Sequence, residues 1–228
     1  LVAWEMQASK FADLSWAKQV VALRNLELVP ALLTWAMGQR LGDVLKLLVE
    51  DIQLDIQFPA LSERVHRCFF RRGKTVDNQG PFTRFLANGT PIDEDLRELL
   101  ATRRQSAFAF LNLEKDASNE EIARACVEAE RTIHNKLADH GLDVDVRGIR
   151  RGSLSTMAAW GWPDEMVRTI SGHATQNAYT TYIGRSRYSG DLAFHHAQMT
   201  RLLWHHASGE ATTTQGAKPP WNVSYAKS

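Results

Sequence analysis

Apolar residues recur at helical spacing near the start of the chain. Phe11, Leu14, Val20, Val21 and Leu23 predict a first helix within residues 10–26. Pro30 is suited to open the next, because the first N–H of a helix has no partner to lose. Ala31, Leu32, Leu33, Trp35 and Met37 continue it to a stop near Gly38. Leu41, Val44, Leu45, Leu47 and Leu48 predict a third helix. From Val49 to about Ala87 the period changes to two. Ile52, Leu54 and Ile56 alternate with polar residues, residues 65–70 read as a second strand, and Phe82 to Leu86, behind Pro81, read as a third. Residues 73–80 between the last two read as a polar connection. Three short sequential strands predict a small antiparallel sheet.

Helical spacing then returns. Thr90 supplies a capping hydroxyl, Pro91 a first helical residue and Asp93 an acid three residues after the cap. The helix they open carries Ile92, Leu96, Leu99 and Leu100 and extends toward Phe108. Ser118 and Glu121 form a capping box ahead of Ile122, Cys126, Ala129, Ile133 and Leu137, with Gly141 as the stop. After Arg150 two further helices are expected, one ending at Gly161 and one running from Pro163 to Ser171, so that Gly172 ends it and His173 lies just beyond. Leu192, Met199, Leu202 and Leu203 predict an amphipathic helix over residues 191–206. Residues 207–228 are polar and are expected to form a flexible tail. The fold class is α+β, mostly α-helical with a small three-stranded antiparallel sheet.

Composition narrows this little. A length of 228 residues suits one large domain or two small ones, and 44% hydrophobic residues exclude wholesale disorder. No apolar run of about 18 residues occurs, so no membrane-spanning helix is expected. The two cysteines, Cys68 and Cys126, have neither metal-ligand spacing nor the number for a disulfide framework, which suits a reducing interior. Leu1 in place of Met suggests a fragment. The net charge of +1 does not announce a nucleic-acid binder, but the cations cluster: Arg71, Arg72 and Lys74; Arg147, Arg150 and Arg151; Arg185 and Arg187.

Four of these stretches, in order, resemble a known family. Met37-Gly38-Gln39-Arg40-Leu41-Gly42-Asp43 is similar to the first-arginine box of the tyrosine recombinases, also called phage-type integrases. Lys74, between the second and third strands, falls where that family keeps a hairpin lysine. Arg147-Gly148-Ile149-Arg150, with Gly161 beyond it, resembles the second-arginine box. Ser171-Gly172-His173, with Tyr182 nine residues on, resembles the box that holds a histidine and the nucleophile. The resemblance covers about residues 10–190 and implies a catalytic domain over residues 1–190, the family's N-terminal DNA-clamping domain being absent or removed.

The chemistry it implies is physically coherent. A phosphodiester under attack gathers negative charge on its non-bridging oxygens. Two guanidiniums, here Arg40 and Arg150, suit those oxygens through paired charge-assisted hydrogen bonds. The phenol of Tyr182 has an ordinary pKa of about 10, so its attack needs help with a proton. By resemblance Arg147 and His173 assist there, Lys74 protonates the leaving 5′-oxygen, and Asp43 orients Arg40 from behind. Arg72, Arg151 and Arg185 are the candidate DNA-backbone contacts. The resemblance implies a 3′-phosphotyrosine intermediate, no cofactor and no metal. It implies double-stranded DNA as partner, self-association on DNA through the helix over residues 191–206, no membrane, and a setting in the bacterial cytoplasm or, for a eukaryotic element, the nucleus.

One residue departs from the pattern. Arg147 stands where the family most often has histidine, and an arginine stays protonated and cannot act as a base. Either His173 or water takes that role, or Arg147 is a third phosphate clamp, or catalysis is impaired. Two other readings stand beside a recombinase: a type IB topoisomerase, which shares the chemistry but fits the histidine box less well, and a DNA-binding protein that kept the fold without it, which Arg147 favours.

Overall fold

The computed structural model describes residue 12, residues 14–57, 64–90 and 92–159, and residues 167, 170 and 171. It is mostly helical with one three-stranded antiparallel sheet, as the hydrophobic pattern predicts. The elements are α1 (Leu14–Leu23), α2 (Val29–Met37), α3 (Leu41–Val44), β1 (Ile52–Gln57), β2 (Arg64–Phe70), α4 (Lys74–Gln79), β3 (Phe82–Ala87), α5 (Ile92–Ala101), α6 (Asn119–Asp139) and α7 (Val146–Ala159). Two single 3-10 turns, Leu26–Leu28 and Val49–Asp51, join them.

The molecule is built around α2, every residue of which is buried. A helix apolar on all sides has no face to offer solvent and must be enclosed. α1, α3, α5, α7 and β3 all pack against it. Trp35 is fully buried on α2, and its indole N–H donates to the carbonyl of Ala12 at 3.1 Å. The polar end of the ring is thereby satisfied. At the end of α2, Gly38 takes φ +63°. Its N–H donates to Trp35 O at 3.3 Å and that of Gln39 to Thr34 O at 3.2 Å, the paired bonds of a Schellman end. A side chain at Gly38 would also press on Leu154 of α7 at 3.2 Å. The chain thus leaves the core through a glycine and delivers Gln39 and Arg40.

The structure corrects four expectations. The third helix is one turn long and does not run on to Leu48. After Val44 the bonds tighten, with Lys46 N–H donating to Asp43 O and Leu47 N–H to Val44 O. Leu48 is then extended and bridges Phe108. That bridge also explains why α5 stops at Ala101 rather than reaching Phe108. The polar connection between β2 and β3 is a short helix, α4, bracketed by Gly73 at φ +118° and Gly80 at φ +80°. Finally, α7 starts before the second arginine box and not after Arg150. Asp145 opens it, accepting the Arg147 N–H on its carboxylate and the Ile149 N–H on its carbonyl, each at 3.1 Å.

Within the sheet β2 is central, pairing antiparallel with β1 and β3. Cys68 and Phe70 of β2 and Leu86 of β3 face the main core, and the Phe70 and Phe82 rings stack at 4.8 Å. β1 carries an irregularity between Gln53 and Ile56, where Asp55 adopts φ +55°. The buried His66 accepts the Asp55 N–H on Nδ1 at 3.1 Å and faces Asp93 Oδ1 with Nε2 at 3.2 Å. These contacts bring that end of the sheet against α5. The capping box of α6 forms as predicted, and Ile122, Cys126, Ile133 and Leu137 are its buried stripe.

The chain just before α1 is seated on α7. Ala12 donates its N–H to Gly148 O at 3.3 Å, and a Cβ at Gly152 would collide with the Ala12 carbonyl. The missing side chain at Gly152 leaves the room this requires.

Candidate functional site

The contact between α2 and α7 joins the two arginine boxes, since Arg40 follows α2 and Arg150 lies on α7. Arg40 is part-exposed, with 31% of its side chain accessible, whereas Arg150 is only 8% exposed. Burial, then the like charge of Arg40 beside it, push the Arg150 guanidinium down to about 10, against the opposing pull of Asp43. It therefore stays protonated at neutral pH, and two cations share one site.

The first arginine is held by a short chain of polar bonds. Arg40 Nη1 donates to the Thr75 hydroxyl at 2.5 Å, and that hydroxyl donates to Asp43 Oδ2. Asp43 itself is buried, and its direct distance to Arg40 Nη1 is 3.9 Å. Gly73 packs against the same carboxylate so closely that a Cβ would overlap Asp43 Oδ1. Lys74, between Gly73 and Thr75, is thus fixed by its backbone to the turn that holds Arg40, while its side chain is exposed.

The second arginine is held by main-chain oxygens. Arg150 Nη2 donates to the Ser171 carbonyl. The preceding carbonyl, of Ile170, accepts from Gln39 Nε2 at 2.5 Å and from Arg84 Nη2 at 2.7 Å. Arg84 lies on β3 and is 6% exposed, with its guanidinium 4.4 Å from the centre of the Phe82 ring. Arg84 also donates to Thr83 O at 2.8 Å. Three donors, from β3, α7 and the link after α2, therefore bind residues 170 and 171 to the arginine cluster. Among the described residues, Arg40, Arg84 and Arg150 outnumber the Asp43 carboxylate, which suits an anionic group such as a phosphodiester.

Of the residues expected at the site, Arg40, Asp43 and Arg150 are brought together, and Lys74 adjoins them through its neighbours Gly73 and Thr75. Arg147 and Arg151 are exposed on α7. Arg72 donates to Lys115 O at 3.1 Å, and its guanidinium lies 5.5 Å from the centre of the Phe108 ring, so part of its capacity is engaged within the protein. His173, Tyr182 and Arg185, the helix over residues 191–206 and the tail over residues 207–228 lie outside the described residues. Thr75, Gln39 and Arg84 were missed by sequence reasoning. Arg84 had a signal: it stands between Phe82 and Leu86 on the inward period of its strand, where a charge must be partnered. Gln39 and Thr75 had only their adjacency to Arg40 and Lys74.

Among the described residues no group of three or more His, Cys, Asp or Glu side chains could hold a metal ion, and no helix is long and apolar enough to cross a membrane. A groove of about 750 Å³ along α6, lined by Leu26, Phe110, Leu113, Ala125 and Ile133, contains none of the candidate residues.

No protein-family model matches the chain, and no curated protein matches it. Among solved structures, the one titled "FLP Recombinase-Holliday Junction Complex I" is similar at a TM-score of 0.40 and 16% identity over 78% of this chain. The chain spans about half the length of that protein, covering 46% of it.

Proposed function

We propose that this chain cleaves and rejoins double-stranded DNA through a tyrosine nucleophile, as a site-specific recombinase, integrase or transposase of a mobile element. The observation that carries the reading is the convergence of Arg40, Asp43 and Arg150, distant in sequence, with Lys74 fixed beside them. In this reading Arg40 and Arg150 bind the non-bridging oxygens of the scissile phosphate and stabilise the charge that builds there. Tyr182 attacks phosphorus, the bond to the 5′-oxygen breaks, and Lys74 gives that oxygen a proton. His173 and the exposed Arg147 assist the phenol. The phosphotyrosine keeps the bond energy, so rejoining needs no external energy source. Arg72, Arg151 and Arg185 contact the DNA backbone. Residues 1–190 form the catalytic domain, residues 191–206 mediate self-association on DNA, residues 207–228 are a flexible tail, and the protein works inside the cell.

The test is covalent capture. Nicked duplexes drawn from a randomised pool should yield a denaturant-resistant protein–DNA adduct, and the reactive sequence is recovered from it. Tyr182→Phe should abolish the adduct. An adduct that persists in that variant moves the nucleophile elsewhere, and no adduct from the unmodified chain overturns the reading. A second reading, a DNA-binding protein without chemistry, draws support from the burial of Arg150 and its bond to the Ser171 carbonyl. It predicts salt-dependent duplex binding with no adduct.

A further inference from the structure

We propose that Thr75 is a positioning residue that sets both the first arginine and the lysine of this site; the proposal rests on the phosphotyrosine reading above. Thr75 is 1% exposed, and a hydroxyl so buried needs partners. It has two of opposite kind: it accepts from Arg40 Nη1 at 2.5 Å and donates to Asp43 Oδ2. The direct separation of Arg40 Nη1 from Asp43 Oδ2, 3.9 Å, is too long for a hydrogen bond. The hydroxyl therefore stands between the two charges. Asp43 orients the guanidinium through it without closing the two-pronged fork that would occupy its donors. Arg40 keeps N–H groups for an incoming anion.

The same residue governs Lys74 through the backbone. Thr75 follows Lys74 directly, and Gly73, on its other side, is pressed against Asp43. The lysine's anchor point and the guanidinium's orientation thus depend on one hydroxyl. In the reaction, the phenolate oxygen forms a bond to phosphorus while the phosphorus–5′-oxygen bond breaks. The electron pair stays on the 5′-oxygen, which takes its proton from the Lys74 ammonium. Misplacing Thr75 should weaken both the charge stabilisation and that proton transfer.

The test uses the full chain and the reactive duplex recovered above, in two forms that differ only in the 5′-bridging atom. An oxygen leaving group needs the proton; a sulfur leaving group departs as thiolate without it. Thr75→Val, which keeps the shape and loses the hydroxyl, should slow adduct formation by about 100-fold on the oxygen form and by about 10-fold or less on the sulfur form. Thr75→Ser, which keeps the hydroxyl, should stay within about threefold of the native rate on both. Equal slowing of Thr75→Val on the two forms, or a rate within threefold of native on the oxygen form, overturns the proposal while leaving the phosphotyrosine reading intact. A Thr75→Ser variant that melts like the native protein yet reacts like Thr75→Val also overturns it, since the methyl would then be the essential group. No adduct from the native chain removes the reading and this proposal together.

Discussion

The two arginines of the site are anchored in opposite ways. Arg40 is part-exposed and held from one side by a hydroxyl backed by a carboxylate. Arg150 is buried and held by the carbonyl of Ser171, with Gln39 and Arg84 fixing the neighbouring carbonyl of Ile170. The first arrangement orients a charge and leaves it open. The second builds a charge into the packing, so that it also fastens the segment at residues 170–171 to α7. One arginine is left open at the surface, and the other is built into the fold.

The largest test of this contrast replaces each arginine by methionine. Arg150→Met should lower the unfolding free energy by about 3 kcal/mol, because buried carbonyls lose a charged donor. Arg40→Met should cost less, about 1 kcal/mol, because the guanidinium is part-exposed and Thr75 still donates to the buried Asp43 carboxylate. Urea unfolding measures both, and equal losses would erase the distinction. Gly73→Ala comes next. The residue sits at φ +118° against Asp43, so a loss of about 2 kcal/mol is expected, together with a fall in adduct rate. Arg84→Met probes the second anchor away from α7 and should lose about 1.5 kcal/mol, because the Ile170 carbonyl loses its charged donor and keeps only Gln39 of the two side chains.

Asp93 belongs to neither anchor and serves as the control. Burial would raise its carboxyl, but the bonds from His66, Thr90 and Gly89 outweigh this and hold it below the usual range. A carboxylate depressed in the folded state stabilises above the ordinary value near 4, and that contribution is lost as pH falls through the lower folded value. Asp93→Asn should therefore lower stability at neutral pH by about 1 kcal/mol or less and flatten its acid dependence, without touching the adduct rate. The smallest effect is expected at Arg147→Ala, within about 0.5 kcal/mol, since the side chain is exposed on α7.

Much of this architecture can be read from residue order. The alternation at Ile52, Leu54 and Ile56, the capping box at Ser118 and Glu121, and the stop at Gly38 are local signals, and each element they predict is present. The misses share a cause. Leu41 to Leu48 has the helical spacing, but Leu48 finds a strand-like partner in Phe108, and a contact across that distance leaves no local trace. Residues 73–80 look polar, yet Val76 packs on the core and turns them into a helix. At the candidate site, Arg40 and Arg150 were singled out in advance because their neighbours resemble arginine boxes. Thr75 was not, since a threonine beside a lysine is unremarkable until folding brings Asp43 against it.

The seat of Ala12 in the glycine groove of α7 has a practical side. Backbone meets backbone there, with Trp35 holding the same carbonyl from below. A tether or reporter fused ahead of residue 12 would therefore pull on the helix that bears Arg147 and Arg150. Force applied at that point should reach the arginine cluster before it unravels the sheet.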